Sequence, residues 1–548
     1  MPPPTPKRKF DPKDPYWREM ATQYVDPSYW AEQNNFYIPD AGKHFTLKGH
    51  EYLFKPYTDT APYQVFYKGG QVGITTMMII RAIHACAFRL NTGLIYFFPN
   101  KSDVNILCKA KVNSLIEANE PLKALVKDTN TVDVKKIGNC FLYFRGLRTL
   151  SQARSITGDV LVFDEIDVAD PEIVDHAMKR LDNSDQDLQE LYALSTPTIP
   201  DFGIDALFQK TDQKYHMIKC NHCNHYTCLE EDFPESVIMT PNGAIRACVK
   251  CRKELILSQA ANEYVAKYPG KELYGRPASG WAISQLQNPN INLDKLYDEY
   301  FTTRYIQDFW NSRLGRAYID ATNRLDVAHV LGLCSNSGLE QSSRGIPCIM
   351  GIDVGPVKHH VVIGRKEFGG AIRILWLGST DWGGLDGLMQ RFSAYALIDG
   401  LPEPAKASAW VKKHPNRAWS CFYSTNPKSG IHWDDTLQKV TIYQTQAMDA
   451  SHLMLQEGKI ILPVNSDLTK EYAKHCHNVA RKKIEDEETG DVRYKWIKLS
   501  EDHYRKATSF MVNLIERTPE SQYSGHDYSK FYGGGAGGGN FDIADSYA

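Results

Sequence analysis

Between residues 60 and 215 one pattern recurs: a short, wholly apolar run, a stretch with helical spacing, and another apolar run. The runs are QVFY, LIYFF (94–98), FLYF (141–144), VLVF (160–163) and LYAL (191–194). They are too short for core helices, and no polar residue alternates within them. Both faces of such a strand must therefore be covered, which predicts a parallel sheet with helices on each side. This α/β architecture cannot account for all 548 residues, because one hydrophobic core stops growing well below that length.

The rest divides by composition. Residues 1–55 are Pro-rich and then aromatic, and read as a partly ordered arm. The α/β core occupies 56–215, a Cys-rich insertion 216–256, and a mixed helical segment 257–340 ending in the polar run SNSGLEQSSRG. A second, strand-first domain begins near IPCIMGIDVG and spans 341–520. The Gly-rich tail 521–548 reads as flexible. Hydrophobic residues at 42% and charged residues at 23% exclude a disordered chain. With a net charge of −2, any nucleic-acid contact must come from a local basic patch rather than the whole surface. The most apolar helical stretch, Thr76–Leu90, carries Arg81, His84 and Arg89 and is too short to span a bilayer. With no signal-peptide core at the N-terminus, a cytoplasmic protein without membrane contact is expected.

KGGQVGITT, from Lys68 to Thr76, follows a strand and opens a helix, where backbone N–H groups converge on an anion. Against the usual phosphate loop, Lys68 replaces the first Gly and Ile74 replaces the Lys. The cation would then reach the phosphates from the start of the loop. Gly70, Gly73, Ile74, Thr75 and Thr76 complete the cradle, with the Thr75 hydroxyl on Mg²⁺. GDVLVFDEID, about ninety residues on, ends an apolar strand in two acids. Asp164 suits the Mg²⁺ shell and Glu165 the polarisation of an attacking water. A third strand ends in LYALSTPT, where Ser195 and Thr196 suit a sensor of the γ-phosphate. Tyr57, Tyr63 and Gln64 are open choices for holding adenine.

Cys220-x2-Cys223 and Cys248-x2-Cys251 form two tight pairs separated by 24 residues. Two such knuckles complete a tetrahedral Zn²⁺ shell, and with every position filled by protein the ion would be structural. His222, His225 and Cys228 are alternative ligands. In the second domain, CIMGIDVG places Asp353 at the end of a strand that a second strand, HHVVIG, follows. Such a fold gathers carboxylates at a sheet edge to hold two divalent ions about 4 Å apart across a phosphate. Asp399 ends another apolar run and Asp502 precedes a helix; Asp434, Asp435 and Asp449 compete for these places. The segment 480–499 reads as a hairpin whose Arg481, Lys482 and Lys483 suit backbone phosphates.

Taken together, the Lys at the loop start, the V-G-x-T, the D-E strand and the S-T-P strand end resemble the large terminase subunit of tailed phages, particularly its lambda-type branch. The resemblance covers about residues 60 to 510. It implies a P-loop (RecA/ASCE-like) ATPase with a zinc-ribbon insertion, followed by an RNase H-like nuclease. It further implies ATP and Mg²⁺ at Lys68, Gly73, Thr75, Asp164 and Glu165, with coupling through Ser195, Thr196 and Pro197. Arg154, rather than Arg148 or Arg145, would approach the γ-phosphate. Asp353, Asp399 and Asp502 would form the nuclease triad on Mg²⁺ or Mn²⁺. Implied partners are double-stranded DNA, a small terminase subunit, a portal and procapsid, and further copies of the chain in a ring. The implied location is the host cytoplasm, transiently docked on the procapsid and absent from the mature virion. Two rivals differ in class: a cellular helicase or translocase fused to a nuclease, which needs a second RecA-like repeat, and a zinc-containing DNA-binding or scaffolding protein with a decayed ATPase site.

Overall fold

The computed structural model describes residues 15–89, 93–149, 158–181, 189–424, 426, 430–485 and 492–519. The chain forms two compact units, Met1–Asp320 and Ala321–Ala548. No helix among the described residues is long and apolar enough to cross a membrane.

The first unit is built on a 12-stranded sheet. Its centre holds β1 (Tyr63–Lys68), β2 (Gly93–Phe98), β3 (Cys140–Gly146), β4 (Val160–Asp164), β5 (Glu190–Ser195), β6 (Lys214–Lys219) and β7 (Arg276–Ile283). They lie in the order β6-β7-β1-β5-β4-β2-β3, every neighbouring pair parallel. Antiparallel strands close both edges. All the apolar runs read from the sequence are strands of this sheet. Alternate residues feed two separate cores, as strand geometry requires. Phe66, Tyr96, Phe98, Val162 and Leu194 pack on one face with the helix α1 (Ile74–Phe88). Val65, Tyr67, Ile95, Phe97, Phe163 and Ala193 pack on the other. The strand carrying the S-T-P segment, β5, lies between the loop strand β1 and the acidic strand β4. That insertion is the RecA/ASCE arrangement, and it sets the ends of all three strands side by side.

The second unit holds an 8-stranded sheet. Its main strands are β8 (Cys348–Asp353), β9 (His359–Lys366), β10 (Ile372–Thr380), β11 (Ala394–Asp399), β12 (Ala418–Ser424) and β13 (Lys439–Tyr443). The order is β10-β9-β8-β11-β12-β13. The first three strands form an antiparallel meander, and β11, β12 and β13 add in parallel to β8. This is an RNase H-like sheet. Helices α2 (Gln444–Gln456), α3 (Asp467–His477) and α4 (His503–Asn513) cover it. Leu325 and Val330 are buried in the same core. Gly351 lets α4 come close: a Cβ there would overlap the Ala507 carbonyl oxygen. The sequence-read hairpin forms from Val479–Glu485 and Val492–Lys498.

Candidate functional site

The phosphate loop leaves β1 at Lys68, whose side chain is only 7% exposed. Gln71 and Gly73 take left-handed conformations, with φ of 57° and 86°. Only glycine adopts such a backbone without strain, so Gly73 is needed where the chain turns into α1. The 15-residue α1 then offers its N-terminal amides and the positive end of its dipole to an anion. Ile74, standing where a loop of this type has Lys, buries its side chain in the core. The cation comes from Lys68 instead. Its Nζ donates to Glu165 Oε1 at 2.9 Å, bringing the loop and the acidic strand together. Glu165 Oε2 is 3.3 Å from Ser195 Oγ and 3.4 Å from the Thr196 amide, so the S-T-P segment reaches the same carboxylate. Asp164 accepts from the Tyr96 hydroxyl at 2.9 Å, while its buried Oδ1 has no hydrogen-bond partner among the described residues. Burial pushes this carboxyl up to about 6, against the pull of Lys68 and of hydrogen bonds from Tyr96 and Thr75. A buried acceptor facing Lys68 and Thr75 with one oxygen unused suits a divalent cation.

Two further features of this site carry no sequence signature. The first is a strap from the end of the unit. The Gly69 amide donates to Ile283 O and the Gly70 amide to Ser312 O, each at 2.7 Å. Gln285 Nε2 donates to Gly70 O at 2.8 Å, and Arg313 fixes that glutamine at 3.2 Å while pairing with Glu299 at 2.8 Å. The first two loop amides are thus engaged, and the anion cradle falls to Gln71–Thr76. A Cβ on Gly69 would sit 2.9 Å from Ser312 O, which explains the glycine at that position. The second is Asp167. Its buried carboxylate accepts from the Thr198 amide at 2.8 Å, the Thr198 hydroxyl at 2.7 Å and the Ile204 amide at 2.7 Å. It ties the chain after β4 to the chain after β5.

The other sequence candidates separate. Tyr63 and Gln64 begin β1, at the end remote from Lys68. Gln64 is held by Arg81 at 2.7 Å and itself donates to Ala61 O, and Tyr57 is buried in the core. Tyr52, not singled out from the sequence, bonds to Val72 O of the loop at 3.1 Å. Arg145 is paired with Asp133 at 2.9 Å. Arg154 lies outside the described residues.

The four knuckle cysteines converge, their ligand atoms all within 4.8 Å of one another. Cys220 and Cys251 are 3.6 Å apart, as are Cys223 and Cys248. Thiolates around one tetrahedral Zn²⁺ stand about 3.8 Å apart, from ~2.3 Å bonds. The two knuckles repeat one backbone design. Cys220 N–H donates to His225 O and Cys248 N–H to Lys253 O, each at 2.8 Å, with Asn224 and Arg252 at φ of 57° and 61°. His222, His225 and Cys228 are not in the cluster, and the Cys228 amide is bound to Asp232.

In the second unit Asp353 and Asp399 end the neighbouring parallel strands β8 and β11, and Asp502 immediately precedes α4. Burial pushes Asp399 up to about 6, and the nearby Asp353 adds to the effect. Lys506 Nζ lies 4.0 Å from Asp353, and Lys498 lies 3.2 Å from Asp502. The competing acids serve elsewhere: Asp434 caps a turn at Leu437, Asp435 holds Trp419 and Arg517, and Asp449 holds Trp496 and Arg481. Arg481, a candidate for phosphate contact, is thereby engaged and lies over the Tyr494 ring. Histidines, which were not read from the sequence, surround Asp353 instead. His503 Nδ1 is 2.7 Å from Asp353 Oδ2, and the His360 and His503 rings stack at 4.4 Å.

A protein-family model described as phage terminase large subunit gpA, ATPase domain, matches residues 59–264. The match contains the loop, the acidic strand, the S-T-P segment and all four knuckle cysteines. Over those residues the chain is similar to a terminase ATPase domain. Solved structures that the chain is similar to include the HK97 bacteriophage large terminase, 12% identical over 87% of this chain and 97% of its own, with a TM-score of 0.48. The large terminase of a thermophilic bacteriophage, solved in complex with ADP, is 13% identical over 86% and 100%, at 0.29. The Phi-28 gp11 DNA packaging motor is 12% identical over 78% and 96%, also at 0.29. No curated protein sequence matches the chain.

Proposed function

We propose that this chain is the large subunit of a packaging terminase, which uses ATP to drive double-stranded viral DNA into a procapsid and cuts the concatemer with its carboxy-terminal unit. The observation that carries the reading is the meeting of Lys68, Asp164, Glu165 and Ser195 at three adjacent strand ends, inside the span of the terminase ATPase match. Lys68 and the amides of Gln71–Thr76 bind the phosphates. Asp164 and Thr75 hold Mg²⁺, which when bound neutralises charge on the leaving phosphates. Glu165 orients the attacking water once the incoming phosphates draw Lys68 away. Ser195 and Thr196 sense which partner Glu165 holds, and Asp167 carries that change to Thr198 and Ile204.

The knuckle cysteines would hold Zn²⁺, which cross-links the ribbon. Asp353, Asp399 and Asp502 would bind the divalent ions of cutting. A small terminase subunit selects the DNA, a portal anchors a ring of copies, and the work takes place on procapsids in the host cytoplasm. DNA-stimulated ATP hydrolysis tests the reading, with Lys68→Ala and Glu165→Ala expected inactive. A wild-type chain with no ATPase activity would mean a decayed site. For the cutting unit, Mg²⁺- or Mn²⁺-dependent plasmid cleavage that survives Asp353→Ala would remove the assignment.

A further inference from the structure

The acidic end of the second sheet contains more nitrogen than a purely carboxylate cutting centre requires. Asp353 and His360 are direct cross-strand partners of β8 and β9, so register alone sets them side by side. Strand alternation sends the two adjacent histidines to opposite faces. His359 packs on Trp382, and His360 meets α4. There His503, the first residue of α4, stacks on it with the ring planes 5° apart. Donor atoms of Asp353, His360 and His503 all lie within 4.8 Å of one another. His360 Nδ1 is buried and has no hydrogen-bond partner among the described residues.

Resting on the nuclease reading above, we propose that Asp353, His360 and His503 form a mixed carboxylate–imidazole site for one divalent transition ion, taking Mn²⁺ in preference to Mg²⁺. The chemistry follows from the donor set. Mg²⁺ wants oxygen ligands in a tight octahedron and keeps its waters. Imidazole nitrogen favours the transition ions, and the preference grows along the series that starts at Mn²⁺. Two imidazoles and one carboxylate leave coordination positions open for a phosphate oxygen and for water, with Asp399 and Asp502 at the same edge for a second ion. The 2.7 Å contact of His503 Nδ1 with Asp353 Oδ2 holds two of the ligands together. Lys506 stands 4.0 Å from the other Asp353 oxygen.

The test uses the full, nucleotide-free chain with its cysteine knuckles intact, and Mn²⁺ as the probe. Pulsed electron paramagnetic resonance of bound Mn²⁺ reads nitrogen ligands directly. The expected spectrum shows imidazole ¹⁴N couplings that change on [¹⁵N]histidine labelling, a comparison that needs no mutation. His360→Gln and His503→Gln should each remove part of the coupling and weaken Mn²⁺ binding about tenfold or more, the scale on which metal-site partners act. Mg²⁺ binding should change much less. Bound Mn²⁺ without nitrogen coupling, in a wild-type chain that still cuts plasmid, overturns the histidine site and leaves the nuclease reading standing. Neither Mn²⁺ binding nor cutting overturns both.

Discussion

In the amino-terminal unit the candidate groups come from the carboxyl ends of three adjacent parallel strands, β1, β5 and β4, and each belongs to a short contiguous motif. In the carboxy-terminal unit the corresponding groups come from β8, β9, β11 and the start of a helix 150 residues further on. The first site is held by hydrogen bonds between its own members: Lys68 to Glu165, Tyr96 to Asp164, and donors from the S-T-P segment to Glu165. The second depends on how closely α4 approaches the sheet, which Gly351 permits. A site on neighbouring strand ends is fixed by register. A site that borrows a helix is fixed by packing, and so is more exposed to mutations that never touch it.

The largest test of this contrast is a reciprocal pair. Glu165→Gln should lower DNA-stimulated ATP hydrolysis by about 10²-fold or more, the usual scale for losing a group that directs a proton or water. Plasmid cutting should persist. Asp353→Asn should abolish cutting and leave ATP hydrolysis near wild type. Loss of both activities in either variant would break the division of labour.

Gly351→Ala comes next. Its new methyl meets the Ala507 carbonyl and the Met511 amide, so the carboxy-terminal unit should lose about 3 kcal/mol, within the range for overpacking. Calorimetry of the full chain should show the loss, and cutting should fall while ATPase activity survives. An unaltered melting profile would show that α4 moves without cost.

Smaller still is Arg313→Ala, which frees Gln285 from one side of the phosphate loop. The loss of about 1 kcal/mol of hydrogen bonding should raise KM for ATP roughly fivefold with kcat nearly unchanged. A fall in kcat alone would place the strap in the chemistry rather than in binding.

The smallest effect concerns pH. His216, buried and stacked on Tyr264, is pushed down to about 4 by burial. The folded protein keeps it neutral while the unfolded chain binds a proton below 6.5, so unfolding takes up a proton in that window. Its contribution is full above pH 6.5 and is lost as the pH falls towards 4. Buried Glu230, pushed up to about 7, acts in the opposite sense, so only a comparison with a variant isolates the histidine. Between about pH 7.5 and 5.5, denaturant melts of His216→Phe should lose about 1 kcal/mol less than wild type. Equal losses would remove the linkage.

Much of this was legible in the chain. The apolar runs pointed to the strands, because a wholly apolar stretch of that length has nowhere to go but a doubly covered sheet. The loop, the acid pair and the S-T-P segment were readable because each packs its chemistry into adjacent residues, and the cysteine pairs because a knuckle is a local structure. What escaped was non-local. Asp167 looked like one more acid after a strand, yet it holds Thr198 and Ile204. Nothing near Gly69 announced that Ser312 and Gln285 would close on it. Asp434, Asp435 and Asp449 competed with Asp353, Asp399 and Asp502 until their partners were known.

The sequence by itself singled out the candidate residues for phosphate chemistry and the four thiols that converge, since short-range covalent spacing marks both. It also determined that two cores were needed. Tertiary structure alone decided that Lys68 reaches Glu165, that a distant strap occupies the first loop amides, and that His360 and His503 stand beside Asp353. These outcomes follow from strand order and from one helix's approach to a glycine. Both are set by long-range packing of the whole unit, which no local stretch of the chain encodes.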